Sequence, residues 1–336
     1  MVVTHGGDIF AVAREYGWDW RDVADFSASI NPLGPAPGVR SAIIEAVERI
    51  AHYPDRESAR LCHALAETWG LAADQILPGN GATELIFFVA RMLAGTPVTL
   101  ATPVFSEFHR AFPAARLATL SDPATWGQHG LLVLTRPANP TGWSLDLNTL
   151  EARLAQTSAP VLIDESFLEY SGLPSAAGLP GRYPHLFVLR SLTKFYALPG
   201  VRIGALIGAA GVLRQWRLMR EPWQVSVFAE EAALAALRDT EHAARSQAFM
   251  RTERAWLLAR LTALHGAEPL PGDANFIYVR LAYSAAALAR HLLPHKILIR
   301  NCAAWPGLSG EAVRVAVRTR AENERLLEAW REFKCV

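Results

Sequence analysis

A chain of 336 residues, 51% hydrophobic and 19% charged, carries enough apolar side chain for a sizeable core and argues against disorder. Its formal net charge of +1 gives no electrostatic reason to expect nucleic acid or an anionic membrane as a partner. Cys62, Cys302 and Cys335 are far apart and make neither a zinc-like pairing nor a disulfide framework, so no metal site is expected and a reduced cytoplasm is the expected setting.

The stretch Met1-Val2-Val3-Thr4-His5-Gly6-Gly7 lacks the basic start and apolar core of a signal peptide, and apolar runs break well before the length of a membrane span. A short helical pattern at 9–16 precedes the Pro/Gly-dense run 25–35, which reads as an extended arm. Helical spacing follows over 39–50 and 59–69, with Tyr53-Pro54-Asp55 as the turn between them. From 76 to 207 apolar strands alternate with helices. The strands fall at 98–101, 131–135, 161–164, 186–190 and 203–207, after a short one ending at Gly79, the pattern of a mostly parallel sheet covered on both faces. Long helices fill 226–264. Strands near 276–279, 297–300 and 313–317 surround a helix at 284–293, and a last helix covers 321–333. The division this predicts is an N-terminal arm over 1–40 that joins a smaller α/β domain, a large domain over 41–225, and the rest of the small domain over 226–336.

The stretch from Ser191 to Gly204 concentrates the chemistry. The apolar run Leu186-Phe187-Val188-Leu189 ends in a polar turn with a single lysine, Lys194, and eight residues later Arg202 stands between Gly200 and Gly204. A lysine amine can form a Schiff base with a carbonyl, and Ser191, Thr193 and Arg202 are natural neighbours for a phosphate. Carbonyl and phosphate on one small molecule suggest pyridoxal 5′-phosphate (PLP), which also wants an acidic partner at its ring nitrogen; a strand-to-loop turn with one solvated lysine is the alternative. Upstream, Gly79-Asn80-Gly81-Ala82-Thr83-Glu84 opens a helix, where free N–H groups suit a phosphate or where Asn80 or Thr83 simply caps. Asn139-Pro140-Thr141-Gly142 follows one strand and Asp164-Glu165 ends another, the place where ligands gather in open α/β sheets; a turn and a capping aspartate are the plainer readings there.

The order of these pieces is more specific than any of them: Gly-rich loop, Pro103-Val104-Phe105 near a strand end, Asn-Pro-Thr-Gly, Asp-Glu, Ser-x-x-Lys, Gly-x-Arg-x-Gly. In that order the chain resembles, over nearly its whole length, the fold type I PLP enzymes of the aspartate aminotransferase family. The resemblance implies a large domain with a mostly parallel seven-stranded sheet covered by helices, plus a smaller α/β domain. It implies that Lys194 carries the cofactor, that Asp164 pairs with the ring nitrogen and Asn139 with the ring hydroxyl, and that Phe105 stacks on the ring. Ala82, Thr83, Ser191 and Arg202 would hold the cofactor phosphate. Tyr53 would reach the phosphate of a partner subunit, making a homodimer with shared active sites. Many relatives carry a tyrosine three residues after the aspartate; Phe167 stands there in this chain, so that hydrogen bond to the ring oxygen is missing.

Three further stretches narrow the resemblance. His5-Gly6-Gly7, the run Asp25 to Gly34, and Arg300-Asn301-Cys302 followed by Trp305-Pro306-Gly307-Leu308 look like the threonine-phosphate decarboxylases of cobalamin biosynthesis. Histidinol-phosphate aminotransferases share the middle motifs but usually lack the two ends. The resemblance gives Arg314 to the substrate carboxylate, where a planar fork suits two oxygens, and gives Arg300, His5 and Asn31 to the substrate phosphate. It implies a PLP-dependent lyase that decarboxylates L-threonine O-3-phosphate to (R)-1-aminopropan-2-yl phosphate. The runner-up is a class I/II aminotransferase such as histidinol-phosphate aminotransferase, because motifs do not report which bond to Cα stands perpendicular to the ring. A non-catalytic protein on the same fold disagrees with an intact Lys194, Asp164 and Arg202.

Overall fold

The protein is described here by a computed structural model covering residues 6–127 and 129–334; His5 and Cys335 lie outside the described residues. The strands are β1 (Ala24–Asp25), β2 (Ile76–Gly79), β3 (Val98–Thr102), β4 (Arg116–Thr119), β5 (Leu131–Thr135), β6 (Val161–Asp164), β7 (Leu186–Ser191), β8 (Gly204–Ile207), β9 (Ala267–Leu270), β10 (Phe276–Leu281), β11 (Ile297–Leu298), β12 (Arg300–Asn301) and β13 (Ala312–Ala316). Seven of them form one sheet in the order β2-β8-β7-β6-β5-β3-β4. β8 runs antiparallel to both its neighbours, and the other pairs are parallel.

Alternation explains why β5, β6 and β7 are apolar up to their carboxyl ends. Leu132, Leu134, Val161, Ile163, Leu186 and Val188 enter one core cluster. Their neighbours Leu131, Val133, Leu162, Phe187 and Leu189 enter a second. Successive side chains point to opposite faces of a strand, so a sheet covered on both sides buries both sets. Edge strand β4 follows another rule: only Ala118 of its four residues is buried. Its sequence therefore carries no apolar run to read.

A four-stranded antiparallel sheet, β12-β13-β10-β9, lies in the C-terminal part. The single strand expected over 297–300 is divided. β11 pairs in parallel with β1, Ala24 opposite Ile297, and β12 pairs with β13. The chain thus ties its N-terminal arm to its C-terminal part through a two-residue ladder. The helical stretch after 226 is two helices, Val227–Arg238 and Thr240–Leu261. Between them Asp239 turns out of the helix and caps the second one by accepting from the His242 N–H at 2.8 Å. No helix among the described residues is long and apolar enough to cross a membrane.

Candidate active site

The carboxyl ends of β5, β6 and β7 converge on a cavity of about 400 Å³, whose wall includes Thr135, Asp164, Ser191 and Lys194. Parallel register sets Thr135 opposite Asp164. Ser191 ends β7 and caps the four-residue helix Leu192–Phe195 by accepting from the Thr193 N–H, which delivers Lys194 to the cavity. The Tyr170 hydroxyl donates to the Lys194 carbonyl at 2.9 Å and the Asn31 N–H donates to the same oxygen at 3.1 Å. The lysine backbone is thereby held from two sides.

One end of the cavity is a cradle for an anion. The helix Gly81–Met92 begins there with Ala82 and Thr83 in the wall, and Asn80 makes no side-chain cap, so its N-terminal N–H groups and dipole are available to a negative group. Gly81 has φ +80, and a Cβ on it would lie 2.4 Å from a guanidinium nitrogen of Arg202. Glycine at 81 is thus favoured by the backbone, and its missing side chain leaves room for the Arg202 guanidinium. The hydroxyls of Ser191 and Thr193 are 2.7 Å apart beside them.

Charge in the middle of the cavity is set by burial. Burial lowers the Lys194 pKa from 10.5 to about 8, the guanidinium groups of Arg314 and Arg202 push it the same way, and Asp164 opposes them. Burial raises the Asp164 pKa, while two bonds donated by Ser166 to Oδ1, from its hydroxyl at 2.5 Å and its N–H at 2.9 Å, hold it down. Ser166 is a site residue with no motif of its own.

The wall carries two more cations, on strands of the C-terminal sheet. Arg300 and Arg314 are direct partners across the β12–β13 ladder and both line the cavity. Buried Arg314 donates to Asn139 Oδ1 and to the Ser27 carbonyl, and its guanidinium lies 5.1 Å from the Phe276 ring centre. Burial lowers its pKa to about 10. The N-terminal arm reaches the same place: Gly6 is in the wall, and a Cβ on it would lie 2.1 Å from the Ser27 carbonyl oxygen. Phe105, Phe167 and Trp305 supply apolar wall.

The sequence-expected residues Ala82, Thr83, Phe105, Asn139, Asp164, Ser191, Lys194, Arg202, Arg300 and Arg314 all border this one cavity. Asn31 does not. Its amide donates to the Phe195 carbonyl at 2.9 Å and the Ser246 hydroxyl at 2.8 Å, and its Oδ1 accepts from the Leu33 N–H, so it braces the lysine segment from behind. Tyr53 is also away from the cavity, 79% exposed and stacked on Trp223 with ring centres 4.4 Å apart. For His5 the described residues offer no position. As a receptacle for PLP the cavity fits: an amine of lowered pKa, a buried carboxylate, aromatic side chains in the wall and an anion cradle where Arg202 closes on Gly81.

The aminotransferase class I and II family matches residues 21–123 and 115–329. The chain belongs to that family. Among curated relatives it is 36% identical to a threonine-phosphate decarboxylase of Salmonella typhimurium, over 97% of this chain and 95% of that one. It is 31% identical to histidinol-phosphate aminotransferase 2 of Archaeoglobus fulgidus, over 93% and 94%. A solved structure of a histidinol-phosphate aminotransferase from Sinorhizobium meliloti in complex with pyridoxal-5'-phosphate superposes with a TM-score of 0.84 at 24% identity, covering 96% of this chain and 93% of that one.

In this class I and II chain the residues just behind the cavity form a buried ion network that no local motif announces. Arg136 follows Thr135, Glu165 follows Asp164, and Arg190 precedes Ser191. Arg136 donates to Glu165 at 2.9 Å and to the Leu145 and Pro174 carbonyls at 2.7 Å. Arg190 reaches Glu165 at 3.5 Å and Glu169 at 2.8 Å. Each buried charge has a partner, the condition under which such groups are tolerated, and three strand ends are cross-linked directly under the wall of the site. Alternation along the strands was the only available signal, and it says where a side chain points without saying what it meets.

Proposed function

We propose that this protein is a PLP-dependent decarboxylase that converts L-threonine O-3-phosphate to (R)-1-aminopropan-2-yl phosphate and carbon dioxide, a step of cobalamin assembly. The observation that carries the reading is the pair Arg300 and Arg314, side by side on the wall that Lys194 also lines. That pair is separate from the anion cradle at Gly81–Met92, so a substrate with two anionic groups of its own matches it. Similarity across the full length to a threonine-phosphate decarboxylase supports the choice.

Ala82, Thr83, Ser191 and Arg202 would hold the cofactor phosphate, Asn139 the ring hydroxyl, Phe105 the ring face, and Lys194 the carbonyl carbon. The bound cofactor supplies an attachment point for the substrate amine and a ring that accepts the electron pair released when a bond to Cα breaks. Asp164 keeps a proton on the ring nitrogen, which makes the ring the better acceptor. Arg314 takes the substrate carboxylate on its planar edge, and Arg300 takes the phosphate. Loss of carbon dioxide leaves Cα one proton short, and Lys194, with a pKa of about 8, is able to carry that proton near neutral pH. The aromatic wall of Phe105, Phe167 and Trp305 keeps bulk water from that position.

A class I/II aminotransferase is the second reading, favoured by the 31% relative; in it the same residues would move a proton from Cα instead of releasing carbon dioxide. PLP-loaded protein mixed with L-threonine O-3-phosphate and no keto acid separates the two. Catalytic carbon dioxide and aminopropanol phosphate support the decarboxylase. Conversion of the cofactor to its amine form without gas overturns it. We read the protein further as a cytoplasmic homodimer in which exposed Tyr53, beside exposed Ile44, Val47 and Ile50, meets the second copy; a monomer in sedimentation at micromolar concentration would contradict this.

A further inference from the structure

We infer that Trp305 is a positioning residue that sets the phosphate selectivity of the site by fixing Arg300, an inference that rests on the proposed role of Arg300. After β12 the chain turns through a compact loop in which the Cys302 N–H donates to Ala312, the Trp305 N–H to Cys302 and the Leu308 N–H to Trp305. Trp305 is 7% exposed and forms part of the cavity wall. It makes two contacts of different kinds. Its ring lies under the Arg300 guanidinium, 5.3 Å from ring centre to the central carbon, and its indole N–H donates to the Val104 carbonyl at 3.1 Å.

The second contact crosses from the C-terminal part of the chain to the large sheet. Val104 directly precedes Phe105, one of the aromatic residues of the cavity wall. Gly307 reinforces the docking. It adopts φ +82, and a Cβ there would lie 2.1 Å from the Thr102 hydroxyl oxygen, so the loop rests on the end of β3 with no room to spare. Arg300 thus stands on a ring whose position is referenced to the cofactor side of the cavity. A flexible arginine held over an aromatic face loses less freedom when it meets an anion. Trp305 is therefore a link between the substrate-facing cation and the segment that carries Phe105.

The test is binding of two ligands that differ only by the phosphate, (R)-1-aminopropan-2-yl phosphate and (R)-1-aminopropan-2-ol, measured by calorimetry on PLP-loaded protein. Trp305→Leu removes ring and N–H; the preference for the phosphorylated ligand should fall roughly tenfold, within the range of a desolvated cation–π contact. Trp305→Phe keeps a ring under Arg300 and should lose clearly less of that preference. Trp305→Leu and Arg300→Lys should be non-additive in the ratio, the mark of residues that act together. If Trp305→Leu does not fold, Trp305→Met takes its place. Equal losses for both ligands, or additive effects with Arg300→Lys, would overturn the inference while leaving the proposed function standing. A parent protein with no preference for the phosphorylated ligand would instead bring down the functional reading itself.

Discussion

Arg300 and Arg314 face each other across the β12–β13 ladder, two guanidinium groups in direct register on the wall of one cavity. Like charges placed opposite each other destabilise a sheet, and burial adds to the cost by lowering the pKa of both. Arg314 is held in place by neutral acceptors, Asn139 and the Ser27 carbonyl. Such a pair is relieved by anions, one for each cation or one shared.

Arg314→Lys tests the geometry of that pair separately from its charge. Lysine keeps the positive charge and loses the fork that meets Asn139, Ser27 and a carboxylate at once. Hydrogen bonds to charged groups contribute about 1.5–3 kcal/mol, so kcat/KM for the amino acid substrate should fall roughly 10- to 150-fold. Steady-state kinetics checks this, and a variant within twofold of the parent would remove Arg314 from carboxylate recognition.

Lys194 gives a prediction with a defined pH window. Its pKa is about 8 in the folded protein and 10.5 when unperturbed, so the folded state resists charging it. The penalty is present in full below pH 8 and disappears as pH rises from 8 to 10.5, because there the unfolded chain holds the proton and the folded protein does not. Cofactor-free Lys194→Met should therefore gain stability over the parent at pH 7, by up to about 3 kcal/mol, and the gain should shrink across that window. Urea denaturation at pH 7 and pH 10 measures the difference. With PLP supplied, the variant should show no turnover at either pH.

The sequence made legible those parts of the site that lie next to a signal in the chain itself. Lys194, Asp164 and Asn139 follow apolar strands within a few residues, and Gly81 and Arg202 sit in Gly-spaced motifs. What was not legible depends on partners distant in sequence. Asn31 looks like a free polar residue in a Pro/Gly arm, and only the fold shows its amide committed to Phe195 and to Ser246, 215 positions away. Arg136, Arg190 and Glu169 read as ordinary charges, and Glu165 only as the companion of Asp164, until the fold brings them together. β4 and β9 escaped because β4 is largely exposed, β9 is only partly buried and neither carries an apolar run, whereas the buried strands announced themselves as near-continuous apolar runs.

Ser166 should matter through Asp164. Ser166→Ala deletes the hydroxyl that donates to Asp164 Oδ1 at 2.5 Å and leaves burial to push the carboxyl pKa further up. A carboxyl that protonates more readily is less often the anion that would keep a proton on the ring nitrogen, and loss of one such bond, about 1 kcal/mol, corresponds to roughly a fivefold drop in kcat. Asp164→Asn removes the charge altogether and should cost at least about a hundredfold, since a buried charge left without its partner is worth about 3–5 kcal/mol. Parental activity in Ser166→Ala would separate the two residues.

Glu165 carries the opposite kind of prediction, in which stability moves first. It is fully buried and accepts from Arg136, from the Ala176 N–H at 2.9 Å and from the Ser175 hydroxyl, with Arg190 close by. Glu165→Gln leaves the Arg136 guanidinium, itself 1% exposed, without a counter-charge, and removing one member of a buried pair costs about 3–5 kcal/mol. Urea denaturation should show that loss, with a matching fall in the thermal midpoint. The double variant Arg136→Met with Glu165→Leu, which replaces the pair with apolar volume, should recover part of it, because burying two charges is itself expensive. Since Arg136, Glu165 and Arg190 adjoin Thr135, Asp164 and Ser191 in the chain, the double variant should regain stability without regaining full activity. A strand end held by packing alone no longer specifies where its neighbour points into the cavity.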